Sequence, residues 1–156
     1  MIVKSIVWPD ENATQAFAQA LARQSAIANA QIELRGELGA GKTTFVRHLL
    51  GALGVEGRIK SPTYAVVEPY TLSNGSNIWH FDFYRFNDPD EWEEAGFRDI
   101  FTSPGLKLVE WAGNAGKHLP QADLLIAIET ANTSEGTDER HVTLTAMTDA
   151  GARLLT

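Results

Sequence analysis

The spacing of apolar residues changes repeatedly along the chain, and each change marks an element. VKSIVW at residues 3–8 reads as a short strand. Pro9 and Asp10 interrupt it, and Ala13, Phe17, Ala20 and Leu21 then recur at helical spacing, which predicts an amphipathic helix over about residues 11–29. QIELR at residues 31–35 is the next strand candidate and runs straight into GELGAGKTT. Beyond that segment Phe45, Leu49 and Leu53 line up with Val46 and Leu50 beside them, one apolar stripe of a helix that Gly54 is placed to cap.

The second half reads mainly as strands. YAVVEPYTL (64–72) and NIWHFDFYR (77–85) flank Asn74-Gly75, a strong hairpin turn signal, and Pro69 assigns the first of them to an edge or a bulge. In the second, Trp79, Phe81 and Phe83 alternate with His80, Asp82 and Tyr84, which predicts one apolar and one polar face. Asp88, Pro89 and Glu91 form the start signal of a short helix that Gly96 stops, and its Asp90, Glu91, Glu93 and Glu94 read as a solvated face. LKLVEW (106–111), DLLIAIE (123–129) and RHVTLTAM (140–147) complete the strand set. Strands interleaved with helices predict an α/β fold with flanking helices, its sheet mixed, mostly parallel, and carrying the hairpin.

Chemistry enters with GELGAGKTT. Its Gly36-x-x-x-x-Gly41-Lys42-Thr43 spacing, lying between a strand and a helix, fits the P-loop pattern. Glycines allow the backbone of Glu37, Leu38, Gly39, Ala40 and Gly41 to wrap an anion with inward N–H groups, and the helix beginning near Lys42 adds its positive end. Lys42 would reach the β- and γ-phosphates, the Thr43 hydroxyl would ligate Mg²⁺, and Thr44 continues the loop. Such a site also needs an acid for the metal and a group to orient water. Asp82, on the polar face of HFDFYR, and Glu110, ending LKLVE, both qualify, and spacing leaves open which of them meets Mg²⁺. Thr63 in KSPTY stands where a γ-phosphate sensor can lie, and Trp111 where it can line the pocket. His80 reads as a sheet histidine, and Arg85 as a partner for a carboxylate or a phosphate.

Composition narrows the partners. A length of 156 residues predicts one domain over 1–156, and a net charge of −7 with a pI near 5.0 weighs against a broad nucleic-acid footprint. There is no cysteine to form a disulfide or a thiolate metal site. The opening residues carry no signal pattern and no apolar run suffices for a membrane span, so a cytoplasmic protein without membrane association is expected.

GELGAGKTTF, KSPTY, HFDFYR and VEW, in that order, resemble the TsaE (YjeE) family of small bacterial P-loop ATPases, and the likeness spans nearly the whole chain. The resemblance implies a single P-loop NTPase domain with ATP and Mg²⁺ as cofactors. It further implies a Mg-dependent ATPase, weak alone and activated by its partners, acting on the TsaB–TsaD complex. The pathway implied is threonylcarbamoylation of the tRNA adenosine 3′ of the anticodon, with tRNA met only through the complex. By the same resemblance Lys42 and Thr43 are phosphate and metal residues, Thr63 belongs to a switch-like loop, Asp82 and Glu110 are the acids of the ATPase, and Trp111 lies near the nucleotide. Gly113 stands where many members carry a polar or acidic residue, which leaves that position without an expected role. Two rival readings share the loop: a small-molecule kinase, for which Lys117, Arg140 and Arg153 are too scattered to build a lid, and a nucleotide-sensing scaffold without productive hydrolysis.

Overall fold

The computed structural model describes residues 1–88, 90–131 and 138–156. The chain runs β1 (Ile2–Trp8), α1 (Glu11–Ala22), β2 (Gln31–Arg35), α2 (Lys42–Leu53), β3 (Val67–Thr71) and β4 (Asn77–Asp82). It continues through α3 (Asp90–Glu94), α4 (Arg98–Thr102), β5 (Leu106–Glu110), β6 (Leu124–Thr130), β7 (Arg140–Ala146) and α5 (Asp149–Leu154). The strands form one seven-stranded sheet in the order β1-β7-β6-β2-β5-β4-β3. Its middle, β6-β2-β5-β4, is parallel, while β1 and β7 on one side and β3 on the other pair antiparallel. The α/β class and the mixed sheet are therefore as the sequence predicts, with the parallel strands at the centre.

Local chemistry explains the boundaries. Asp10 caps α1 by accepting a hydrogen bond from Ala13 N at 2.9 Å. The helix is shorter than its periodicity predicts: it ends at Ala22, Gln24 is extended, and Ser25–Asn29 close as a 3-10 turn that still buries Ile27. Helical spacing carried past the break because both pieces face the same core. Gly54 ends α2 in the left-handed conformation, φ 100°, and Val55 N donates to Leu50 O at 3.0 Å. The hairpin strands are also shorter than expected, because residues 63–66 turn instead of extending and Tyr84 and Arg85 leave the sheet. Pro69 lies on the edge strand β3, where its missing N–H breaks no ladder. Asp88 Oδ1 accepts from Asp90 N at 3.0 Å at the start of α3, while Pro89 lies outside the described residues.

Two apolar clusters cover the sheet from opposite sides. One joins Ile32, Leu34, Ile78, Leu106, Leu108 and Ile126 to Phe45, Leu49 and Leu50 of α2 and to Ala18 and Leu21 of α1. The other joins Phe81, Phe83 and Val109 to Trp92, Phe101 and Ala115. The apolar and polar faces of β4 are as the alternation predicts, and the polar one is covered: His80 and Asp82 are buried on the α2 side beside Ile78. Alternation locates the two faces; that α2 covers the polar one is a matter of tertiary packing.

Candidate nucleotide site

β2 delivers the chain from the carboxyl end of the parallel sheet straight to the start of α2, and residues 36–41 are the turn between them. Glycine is needed at 36 because a Cβ there would stand 2.5 Å from the carbonyl oxygen of Ile128 on β6. It is needed again at 41, where φ is 111° and the residue caps α2 from the left-handed region. Ala40 N donates to Glu37 O at 3.0 Å, which closes the loop, and Phe45 N donates to Gly41 O at 3.0 Å, which starts the helix. Glu37, Leu38 and Gly39 are exposed on the rim, Ala40 is buried, and Thr43 and Thr44 are half-buried on the first turn of α2.

Lys42 is buried, with its ammonium folded back onto the loop. Its Nζ donates to Gly36 O at 2.6 Å and lies 4.0 Å from the centre of the Trp111 ring. Burial lowers its pKa below the ordinary lysine value, while Glu110, Asp82 and Glu37 pull it back up. Among the described residues no ion pair joins Lys42 to either carboxylate. The lysine therefore stands near both acids, uncommitted to either.

Parallel pairing of β4 and β5 sets Asp82 opposite Glu110 in register. Each ends its strand, so adjacent strand ends point two acids the same way. Asp82 Oδ1 accepts from Tyr84 N at 2.9 Å, and Oδ2 accepts from the Thr63 hydroxyl at 3.4 Å. Burial is the main force raising the Asp82 pKa; Glu110 adds to it, and the hydrogen bonds from Tyr84 and Thr63 and the nearby His80 oppose it. Glu110 turns to His80, whose Nε2 lies 2.6 Å from its Oε2. Thr63 is also 2.9 Å from the Ser61 hydroxyl, so KSPTY reaches the acids through one side chain. The loop closes at Val66, a β-branched residue held at φ 70°, whose N donates to Pro62 O and whose O accepts from Asp82 N at 2.8 Å.

Trp111 leaves β5 in the left-handed region, φ 57° and ψ 40°, which swings its ring over Lys42 and to 5.0 Å from Tyr84. Arg85 lies over the Tyr64 ring at 4.1 Å, and Gly113 is exposed. In the acidic face of α3, Glu93 pairs with Arg98, and His118 meets Asp90 and Glu93. Arg140, which the sequence offers only as one of three cations too scattered for a lid, donates from Nε to Ala40 O at 2.8 Å and so braces the loop from β7. A basic residue at the start of a strand gave no signal of that contact, because one hundred residues separate the partners.

Cavities flank the loop. One of about 180 Å³ is lined by Trp8, Glu11, Gly41, Thr44, Asp138 and Arg140. Another, about 520 Å³, lies toward Gly36, Glu37, Trp111, Ile128 and Thr130. Among the described residues no group of three or more His, Cys, Asp or Glu forms a metal cage. The donors near the loop are a hydroxyl, Thr43, and two carboxylates, all oxygen and all hard. That set fits Mg²⁺, which keeps waters and takes phosphate oxygens as partners instead of a protein cage.

A glycine loop braced between the central strands and a helix, with paired acids at neighbouring strand ends, defines an α/β protein of the P-loop type. A family model, the threonylcarbamoyl adenosine biosynthesis protein TsaE, matches residues 8–142. The chain is 39% identical over 139 residues to the tRNA threonylcarbamoyladenosine biosynthesis protein TsaE of Haemophilus influenzae, covering 89% of this chain and 84% of that one. It is 39% identical over 116 residues to the Bacillus subtilis protein of the same name, covering 74% and 69%. The crystal structure of Bacillus subtilis YdiB superposes with a TM-score of 0.74 at 31% identity, covering 99% of this chain and 94% of that one. The chain belongs to the TsaE family. Its role is in tRNA threonylcarbamoyladenosine biosynthesis, with a P-loop ATPase-type part in broad terms. Among the described residues no helix is long and apolar enough to cross a membrane.

Proposed function

We propose that this protein binds Mg·ATP at residues 36–44 and hydrolyses it slowly on its own, faster when docked on a TsaB–TsaD complex in the cytoplasm. The observation that carries the reading is the convergence of Lys42, Asp82 and Glu110 at the end of one loop, with Thr43 on the adjoining helical turn. Backbone N–H groups and the positive end of α2 would cradle the phosphates. The Thr44 and Gly41 side of the loop, opening into the cavity that Arg140 lines, would take the nucleoside end. Lys42 would leave Gly36 O for the γ-phosphate, drawn by a stronger charge-assisted contact. When bound, Mg²⁺ would supply positive charge to offset what develops on the phosphate. Thr43, Glu110 and Asp82 are the residues to hold it, directly or through water. Whichever acid stays off the metal is placed to orient the attacking water.

Slow turnover alone is expected because, among the described residues, Lys42 is the cation folded onto the loop beside both acids. Arg85 is engaged with Tyr64, and Arg140 with Ala40 O. Docking would order the Thr63 loop and complete the site, and tRNA would be met only through the complex. The test is phosphate release from ATP by the protein alone and with purified TsaB and TsaD, with Lys42→Ala as the blank. Strong stimulation by the pair, lost in the variant, is the expected result. Nucleotide binding without stimulation would instead favour a nucleotide-sensing scaffold, and phosphate transfer to a small metabolite would favour a kinase.

A further inference from the structure

We infer that His80 is a positioning residue for Glu110: its ring holds one carboxylate oxygen so that the other faces the phosphate loop. This rests on the nucleotide reading above. His80 and Glu110 are 1% and 3% exposed, and the 2.6 Å separation of Nε2 and Oε2 is among the shortest side-chain contacts in the buried interior. The register explains the geometry. Asp82, not His80, stands directly opposite Glu110, and His80 stands opposite Leu108. To reach Nε2, Glu110 must lean back along its strand, away from the like charge of Asp82. With the carboxylate ionised it can only accept, so Nε2 is the donor and the ring hydrogen lies between the two.

The other ring nitrogen argues that the pair serves Glu110 rather than histidine packing. Among the described residues the buried Nδ1 has no hydrogen-bond partner. A histidine kept only to satisfy the interior would be expected to have both nitrogens engaged, since buried polar atoms without partners are uncommon and costly. His80 is engaged at one nitrogen, and that nitrogen is on the acid. Without it Glu110 would be a buried carboxylate with Asp82 for a neighbour and Lys42 turned toward Gly36 and Trp111. It would then rotate toward the lysine and lose its aim. Outer-shell partners of metal-binding carboxylates act this way, and removing one typically weakens metal affinity or activity about 10- to 100-fold.

The experiment measures affinity for the β,γ-methylene analogue of ATP by calorimetry, in Mg²⁺ and again in EDTA. The proteins are wild type, His80→Leu, His80→Gln and His80→Asn, each checked by thermal melting. Glutamine places its amide near the position of Nε2, whereas asparagine places it near Nδ1, out of reach of Glu110. The expected result is a loss of about 10- to 100-fold in His80→Leu and His80→Asn in Mg²⁺ only, with His80→Gln near wild type. Should His80→Leu not fold, the glutamine and asparagine pair decides the matter alone. Equal losses with and without Mg²⁺, or glutamine no better than asparagine, would overturn the inference and leave His80 a packing residue. Wild-type affinity that ignores Mg²⁺ would overturn the nucleotide reading and this inference together. Wild-type dependence on Mg²⁺, unchanged in His80→Asn, would overturn this inference alone.

Discussion

β4 and the residue that follows it send Phe81 and Phe83 to one face of the sheet, and His80 and Asp82 go to the other. Toward α3 and α4 the side chains are rings: Phe81 lies 4.7 Å from Phe101, 5.2 Å from Phe97 and 5.6 Å from Phe83. Toward α2 the same strand contributes to a buried group of Lys42, His80, Asp82 and Glu110, held by hydrogen bonds and burdened by desolvation. The first face lowers free energy by removing apolar area from water. The second buries charge that water would stabilise better, an arrangement worth keeping only where the charge has a task. Between neighbouring residues of one strand, the chain separates stability from chemistry.

The sharpest way to break that separation is to truncate the aromatic face. Phe81→Ala should lower the unfolding free energy by about 3–5 kcal/mol in urea titration, since Phe81 is fully buried among rings. The fraction that stays folded should bind nucleotide as wild type does. A loss of affinity without a loss of stability would show that the two faces are not separate.

Next in size is Lys42→Ala, the reciprocal case. Phosphate release should fall by about 10²- to 10³-fold, the usual cost of removing one preorganised charge contact in a transition state. Its melting temperature should stay close to wild type, because burial already disfavours the charged ammonium. A variant that unfolds instead would make Lys42 a structural residue.

How far the sequence reveals this division depends on range. The loop was legible because GELGAGKTT carries its chemistry in contiguous residues, and Gly36 and Gly41 stand where a close approach or a positive φ demands them. Asp82 and Glu110 were legible as candidates from their place at strand ends, yet only the parallel register brings them opposite one another. The helix break at Gln24 was hidden because the 3-10 turn keeps its apolar side chain on the same core. The burial of His80 and Asp82 was hidden too, since alternation says which residues share a face and not what covers it. Arg140 on Ala40 lay beyond reach for the same reason: the contact exists only once β7 has crossed to the far side of β6.

A smaller effect tests the electrostatic side. The Asp82 carboxyl is held above its ordinary range, chiefly by burial, so the folded protein binds that proton more tightly than the unfolded chain does. Ionised, Asp82 therefore opposes folding; the penalty is absent below the ordinary carboxylate range and develops as pH rises through the raised value. Asp82→Asn keeps an acceptor for Tyr84 N and removes the charge. Without metal it should melt above wild type at neutral pH by about 2–4 °C, roughly what 1 kcal/mol is worth in a chain of this size. The gain should shrink as the pH falls, while hydrolysis is lost. An advantage that persists unchanged in acid would mean the carboxyl is not destabilised by its surroundings.

The smallest effect lies at Trp111, a ring that packs against the aromatic cluster and also meets the charges through Lys42. Its indole holds the Lys42 ammonium at 4.0 Å, so it helps aim the cation before any phosphate arrives. Trp111→Leu removes a contact of about 0.5–1 kcal/mol, roughly a two- to fivefold loss of nucleotide affinity. Trp92 is buried in the aromatic cluster and Trp79 lies against Lys107, so the emission change on adding Mg·ATP should come from Trp111 and from Trp8, which lines the nucleoside cavity, and should shrink in that variant. Affinity that rises instead would mean the ring competes with phosphate for Lys42. A loss as large as that of Lys42→Ala would mean the ring binds the nucleotide itself, and an aromatic residue would then belong to the chemical face on equal terms with the charges.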